Sequence, residues 1–207
     1  MSVDLKNCRP DALARKSLPM GTIPPHHFET QDGTRVVLRS ASLDDAPALV
    51  DCCKAIWLTS EFFVTQADEF DLTEKRARKW IRKHRDSSGS LMLLAEVDNT
   101  LVGLLNFQCG GRRRVSHQGT FSIAVHAEFQ GMGIGSVMLQ TLVDWGLSNP
   151  TIEKLSLSVF ATNCRAIKLY RRFGFVEEGR RIKDVKLGPG RYVDDIVMAR
   201  FVCQDDN

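Results

Sequence analysis

The sequence predicts one mixed α/β (α+β) domain with a largely antiparallel sheet, in the element order β-α-α-β-β-β-α-β-α-β-β. Three observations carry this expectation. Residues after 42 repeat apolar side chains at helical spacing, and a second helix within Thr73–Arg85 begins at Thr73 and is rich in Lys and Arg on its outer face. The middle of the chain then switches to short apolar runs separated by turn residues, the pattern of a strand meander. Beyond residue 133, helical and strand-like stretches alternate before a closing pair of strands.

Residues 1–30 read as an irregular N-terminal extension, interrupted by Pro10, Pro19, Pro24 and Pro25, and residues 31–207 as the single domain. His26-His27 reads as an exposed pair, because no third metal ligand stands near it. Thr34–Arg39 is a β-branched run after the Asp32-Gly33 turn, hence a strand. Ser42 and Asp45 have capping-box spacing. Ala48, Leu49, Cys52, Ile56 and Trp57 then fall on one helical face. A second helix lies within Thr73–Arg85, and Ser87-Ser88-Gly89 ends it. Leu91–Val97 and Leu101–Phe107 flank Asp98-Asn99-Thr100 as a hairpin, and Gln118–Val125 completes the meander. A helix from Gly133 to about Ser148 carries Ile134, Met138, Leu142 and Trp145 on one side. Strand Lys154–Phe160 precedes a helix near Cys164–Phe173. The last strands, about Val176–Lys186 and Tyr192–Val202, flank Gly188-Pro189-Gly190.

Composition narrows the function. A net charge of +3 is too mild for nucleic acid, whose binders concentrate basic charge on one face. Arg112-Arg113-Arg114 follows two glycines and reads as a solvated hairpin tip. No stretch approaches the roughly 18 apolar residues that span a bilayer. Cysteines 8, 52, 53, 109, 164 and 203 lack metal-ligand spacing, and adjacent Cys52 and Cys53 would make a strained disulfide. Reduced thiols in a cytoplasm are the expectation, with no metal.

The segment that carries chemistry is Val125-His126-Ala127-Glu128-Phe129-Gln130-Gly131-Met132-Gly133-Ile134-Gly135. A strand ends at Val125 and a helix begins among glycines at every second position. Glycine lets the backbone turn and lets a ligand approach the amides. Amides at a helix N-terminus, with the dipole behind them, suit a phosphate or pyrophosphate. The loop is neither a Walker A sequence nor a Rossmann fingerprint. The plain alternative is a tight β-to-α turn without a ligand. A second segment runs from Asn163 to Phe175. Asn163 sits where an N-cap is wanted, and Tyr170 lies seven residues on, about two turns along the same face. Taken singly, Asn163 is a cap, Tyr170 a buried aromatic, and Phe173 and Phe175 core residues.

Together the two segments resemble the GNAT superfamily of acyl-CoA N-acyltransferases. Gln130-Gly131-Met132-Gly133-Ile134-Gly135 is similar to its Q/R-x-x-G-x-G/A motif, and Asn163–Phe175 to its N-x-x-A-x-x-x-Y-x-x-x-G-F segment. The resemblance implies a sheet flanked by helices on both faces, with acetyl-CoA as co-substrate. It implies that Gln130, Gly131, Met132, Gly133, Ile134, Gly135 and Ser136 hold the pyrophosphate. Ile123, Ala124 and Val125 would pair with the pantetheine arm, and Asn163 would also contact the cofactor. Tyr170 would be the general acid that protonates the departing thiolate, a role that suits a phenol near the sulfur. Cys164 reads as a helix residue, not an acyl carrier.

No glutamate stands in Thr120–Val125, where many such enzymes place a base, so Glu96, His117, His126 and Glu128 remain as candidates. A water relay or an already neutral amine would leave no residue signature. The missing glutamate also keeps open a non-catalytic CoA-binding module. Ser116-His117-Gln118-Gly119 and Gly190-Arg191-Tyr192-Val193-Asp194 are similar to bacterial L-amino-acid N-acetyltransferases. Ribosomal-protein N-terminal acetyltransferases are a close rival. The resemblance places acceptor choice on Trp57–Val64 and about Asp184–Asp195, with Phe62, Phe63 and Tyr192 as pocket candidates. The implied partner is a small amine, and a homodimer is compatible with such relatives.

Overall fold

A computed structural model describes residues 21–202. The chain forms β1 (His26–Glu29), β2 (Arg35–Ser40), α1 (Ala46–Thr59), α2 (Glu74–Arg85), β3 (Ser90–Val97), β4 (Thr100–Cys109), β5 (Gln118–Val125) and α3 (Ile134–Ser148). It continues with β6 (Lys154–Phe160), α4 (Cys164–Arg172), β7 (Val176–Gly188) and β8 (Arg191–Phe201). Every expected element is present, in the expected order. One strand is additional. β1 lies in the stretch expected to be irregular and pairs antiparallel with β2, from His26 opposite Leu38 to Glu29 opposite Arg35. Its four residues show no period of their own. The strand exists because β2 offers it a partner and Phe28 packs on the core. Expectations for residues 1–20 lie outside the described residues.

The strands make one sheet in the order β1-β2-β3-β4-β5-β6-β8-β7. Neighbours are antiparallel except β5 and β6, which run parallel. Helices cover both faces. Leu91 and Leu93 of β3 face a cluster built with Met138, Leu139 and Leu142 of α3. Met92 and Leu94 face the opposite cluster, with Leu49 and Ile56 of α1 and Ile81 of α2. Burial on both sides explains why β3 reads as an unbroken apolar run, not an alternating one. Each leucine fully withdrawn from water there contributes about 1.5–3 kcal/mol.

The expected α3 stripe of Ile134, Met138, Leu142 and Trp145 is buried throughout. Trp145 meets Phe107 edge-on, with ring centroids 5.6 Å apart. On the other side of the sheet, Arg39 grips both Asp45 oxygens at 2.8 Å and Glu96 Oε2 at 2.8 Å. This fork ties β2 to β3 and to the turn that opens α1. Burial works against the charge on Asp45, but Arg39 and Ser42 donate to its carboxylate and hold it below the usual range.

Cys52 and Cys53, on α1, are unpaired and buried. Burial raises their thiol pKa values to about 11 and about 12, so neither offers a thiolate near neutrality. Cys164 is exposed. Iodoacetamide at about pH 8 should therefore alkylate Cys164 in the native protein and reach Cys52 and Cys53 only after denaturation. Peptide mass spectrometry reads the sites, and early labelling of the α1 pair would contradict the packing.

Candidate active site

β5 stays on β4 as far as Val125 opposite Gly103, and β6 stays on β8 as far as Phe160 opposite Asp195. Between themselves, β5 and β6 pair only from Gln118 opposite Lys154 to Thr120 opposite Ser156. Past that point each strand is committed to its other neighbour and the two separate. A cleft of about 1710 Å³ occupies the gap, lined by Phe121–Val125 on one side and Ser158–Phe160 on the other.

At the end of β5 the chain is anchored by the His126 N–H, which donates to Val102 O at 2.8 Å. A short 3₁₀ turn, Ala127–Phe129, leads into the glycines. Gly131 and Gly133 adopt φ of 92° and 91°, which side-chain-bearing residues rarely adopt. Nothing crowds the position a Cβ would take at Gly133, so backbone conformation is what requires glycine there. The N–H groups of Gly131, Met132, Gly133, Ile134 and Gly135 donate to no acceptor among the described residues. They gather at the N-terminus of α3, where the helix dipole adds positive potential.

Side chains from α4 brace the loop. Gln130 Nε2 donates to Val125 O at 2.9 Å, while its Oε1 accepts from Arg165 Nη1 at 3.0 Å. Arg172 Nη2 donates to Ser136 Oγ at 2.6 Å. The two arginines are seven residues apart, on one side of α4, and both are exposed at the cleft. The loop thus combines unsatisfied amides with two guanidinium groups, a chemistry suited to phosphate oxygens.

Asn163 caps α4, its Oδ1 accepting from the Ala166 N–H at 3.1 Å. Tyr170 is buried in an aromatic cluster, with ring centroids 5.9 Å from Phe121 and 6.1 Å from Phe175. Its hydroxyl has no hydrogen-bond partner among the described residues, and burial raises its pKa to about 12. A phenol in that state stays protonated and is free to donate.

Every residue singled out from the two motifs lines this one cleft: Ile123, Ala124, Val125, Gln130–Ser136, Asn163 and Tyr170. The four base candidates do not line it. Glu96 is engaged by Arg39. Glu128 is exposed, and His126 stands 4.0 Å from it. His117 lies in the turn before β5, where its carbonyl accepts from the Glu153 and Lys154 N–H groups. Of the acceptor candidates, Phe62 and Phe63 line the cleft and Tyr192 does not. Phe63 also stacks on Trp57 at 4.4 Å.

Several cleft residues escaped the sequence reading. His26, His27 and Glu29 reach the cleft on β1. Arg165 and Arg172 also line it, and their spacing of seven repeats that of Asn163 and Tyr170, a signal that was available. Arg181 and Asp195 meet only through the register of β7 and β8, which no local pattern reveals.

Comparisons with known proteins show the family. Residues 51–175 match the model of the acetyltransferase (GNAT) family. An L-amino acid N-acetyltransferase of Escherichia coli K12 is 32% identical over 121 residues, covering 58% of this chain and 74% of that protein. A spermidine N(1)-acetyltransferase of Vibrio cholerae is 26% identical over 137 residues, covering 66% of this chain and 76% of that protein. The crystal structure of a GNAT-family acetyltransferase from Streptococcus pneumoniae superimposes with a TM-score of 0.77 at 26% identity, covering 81% of this chain and 99% of that one. The chain belongs to the GNAT family and is an acetyl-CoA-dependent N-acetyltransferase.

Proposed function

We propose that the chain transfers acetyl from acetyl-CoA to the primary amine of an amino acid or similar small molecule, by direct attack within a ternary complex. The observation that carries this reading is the shared cleft, in which unsatisfied loop amides and the free Tyr170 hydroxyl open onto one space. On this reading Gln130–Ser136 hold the pyrophosphate, with Arg165 and Arg172 adding charge-assisted contacts. Ile123–Val125, on the edge of β5 that β6 has left, offer strand-type hydrogen bonds to the pantetheine amides, and Asn163 touches the same arm.

The chemistry needs no protein nucleophile. The neutral amine attacks the thioester carbonyl carbon, forming the C–N bond and an oxyanion that backbone N–H groups near the end of β5 stabilise. The C–S bond then breaks, and Tyr170 gives its proton to the departing sulfur and regains one from solvent. None of the four base candidates lines the cleft, and on this reading the proton lost by the amine passes to water.

Isothermal titration should show acetyl-CoA binding to the purified protein, and no binding up to millimolar concentration would overturn the cofactor assignment. Tyr170→Phe should keep that affinity and lower turnover by about 10²–10⁴-fold; unchanged turnover would remove Tyr170 from the acid role. With the phenol raised to about 12, kcat should show no alkaline fall from Tyr170 up to about pH 10. Over the same range kcat/KM for the acceptor should rise as its own ammonium loses a proton. A descending limb near neutrality that Tyr170→Phe abolishes would contradict the assignment.

A further inference from the structure

The register of β6 and β8 sorts the cleft into two faces. Leu157 opposite Met198 and Val159 opposite Ile196 belong to the core shared with α3 and α4. Phe160 and its partner Asp195 therefore turn to the other face, that of α1, α2 and the loop carrying Phe62 and Phe63. On that face a buried carboxylate opens onto the cleft. The Asp195 side chain is 9% exposed, and its Oδ2 accepts from Arg181 Nη1 at 2.9 Å. Arg181 is itself 56% exposed and lines the cleft.

The arrangement is more than a cross-strand ion pair on an edge hairpin. Between Arg181 opposite Asp195 and Val185 opposite Val193, β7 carries extra residues and the pairing slips. Lys183 there adopts φ of 55°, and its N–H donates to Asp194 Oδ1 at 2.9 Å. A non-glycine residue held left-handed is strained and persists only where its surroundings enforce it. This bulge brings Asp184 to the cleft too, its Oδ2 3.9 Å from the same Arg181 nitrogen.

Asp195 uses one N–H of the guanidinium. The Nε and Nη2 groups of Arg181 donate to no acceptor among the described residues. A guanidinium fixed at one corner by a buried carboxylate, with its remaining fork facing a cleft, is shaped for a second carboxylate. We propose that Arg181 binds the carboxylate of the acceptor, with Asp195 as its positioning residue, so that the enzyme selects amines bearing a carboxylate, as free α-amino acids do. Asp184 beside it supplies the opposite sign for the acceptor's ammonium. A polyamine offers the free Nε and Nη2 donors of Arg181 no acceptor oxygen. This assignment rests on the amine-acetylating role of the cleft.

The test compares acceptors that differ only in that carboxylate. Thiol release is measured for the twenty amino acids, the carboxamide of each amino acid that is turned over, and spermidine and putrescine. Wild type should prefer an amino acid to its carboxamide and to both polyamines. Arg181→Gln should raise the acceptor KM by about 10–100-fold for the amino acid and leave the carboxamide little changed. Arg181→Lys should fall between the two, and Asp195→Asn should move KM in the same direction with a smaller effect on kcat. Acetyl-CoA affinity by isothermal titration should stay at the wild-type value in all three variants, which also reports that they fold. Equal or better use of carboxamides or polyamines by wild type overturns the proposal, as does an Arg181→Gln enzyme that keeps the amino-acid preference. Turnover of no carboxylate-bearing acceptor overturns it as well, and absence of acetyl-CoA binding would sink the transferase reading beneath it.

Discussion

The short parallel contact between β5 and β6 is the constraint from which the site follows. Two strands that pair at one end and separate at the other leave backbone donors and acceptors without partners, which a buried sheet does not ordinarily tolerate. Here the separation is enforced from outside. β5 is held along its length by β4, and β6 by β8. The paired end is correspondingly tight. A Cβ at Gly119 would lie 2.4 Å from Gln108 O and 2.5 Å from the Phe107 ring, so only glycine lets β5 approach β4 at the root of the fork. Above that root, the facing edges of β5 and β6 lie open to the cleft.

The cleft joins two environments of different character. On the side of α3 and α4 it offers amides, a helix terminus and two guanidinium groups, with the buried aromatic cluster around Tyr170 behind them. On the side of α1 and α2 it offers the exposed Phe62 ring and a buried carboxylate bound to an arginine. An anionic, extended cofactor suits the first and a compact polar acceptor the second. The parted strands let them meet in the middle.

Much of this was legible in the sequence wherever one local rule decided the outcome. The double-sided burial of β3 is written in Leu91-Met92-Leu93-Leu94, and the α3 stripe in Ile134, Met138, Leu142 and Trp145. The glycines at 131 and 133 announce a backbone that other residues resist. What was not legible depends on partners distant in the chain. β1 needs β2 to exist, and its histidines reach the cleft only because that pairing places them there. Glu96 is held by Arg39, 57 residues away, a partner that no local pattern around Glu96 reveals. The meeting of Arg181 with Asp195 hangs on a slipped register, invisible to any count of residues between them.

β7 lies at the outer edge of the sheet, and most of its residues are exposed. Its side chains therefore carry little of the folding energy, while its bulge still reaches the chamber where the acceptor would sit. Substitutions there cost the fold little, in contrast to the buried positions of β3 and α3, and on the proposed acceptor site they would alter what the protein recognises. Such a division lets a lineage keep its cofactor machinery intact while its substrate range drifts. The same strand gives an engineer the least constrained place to begin.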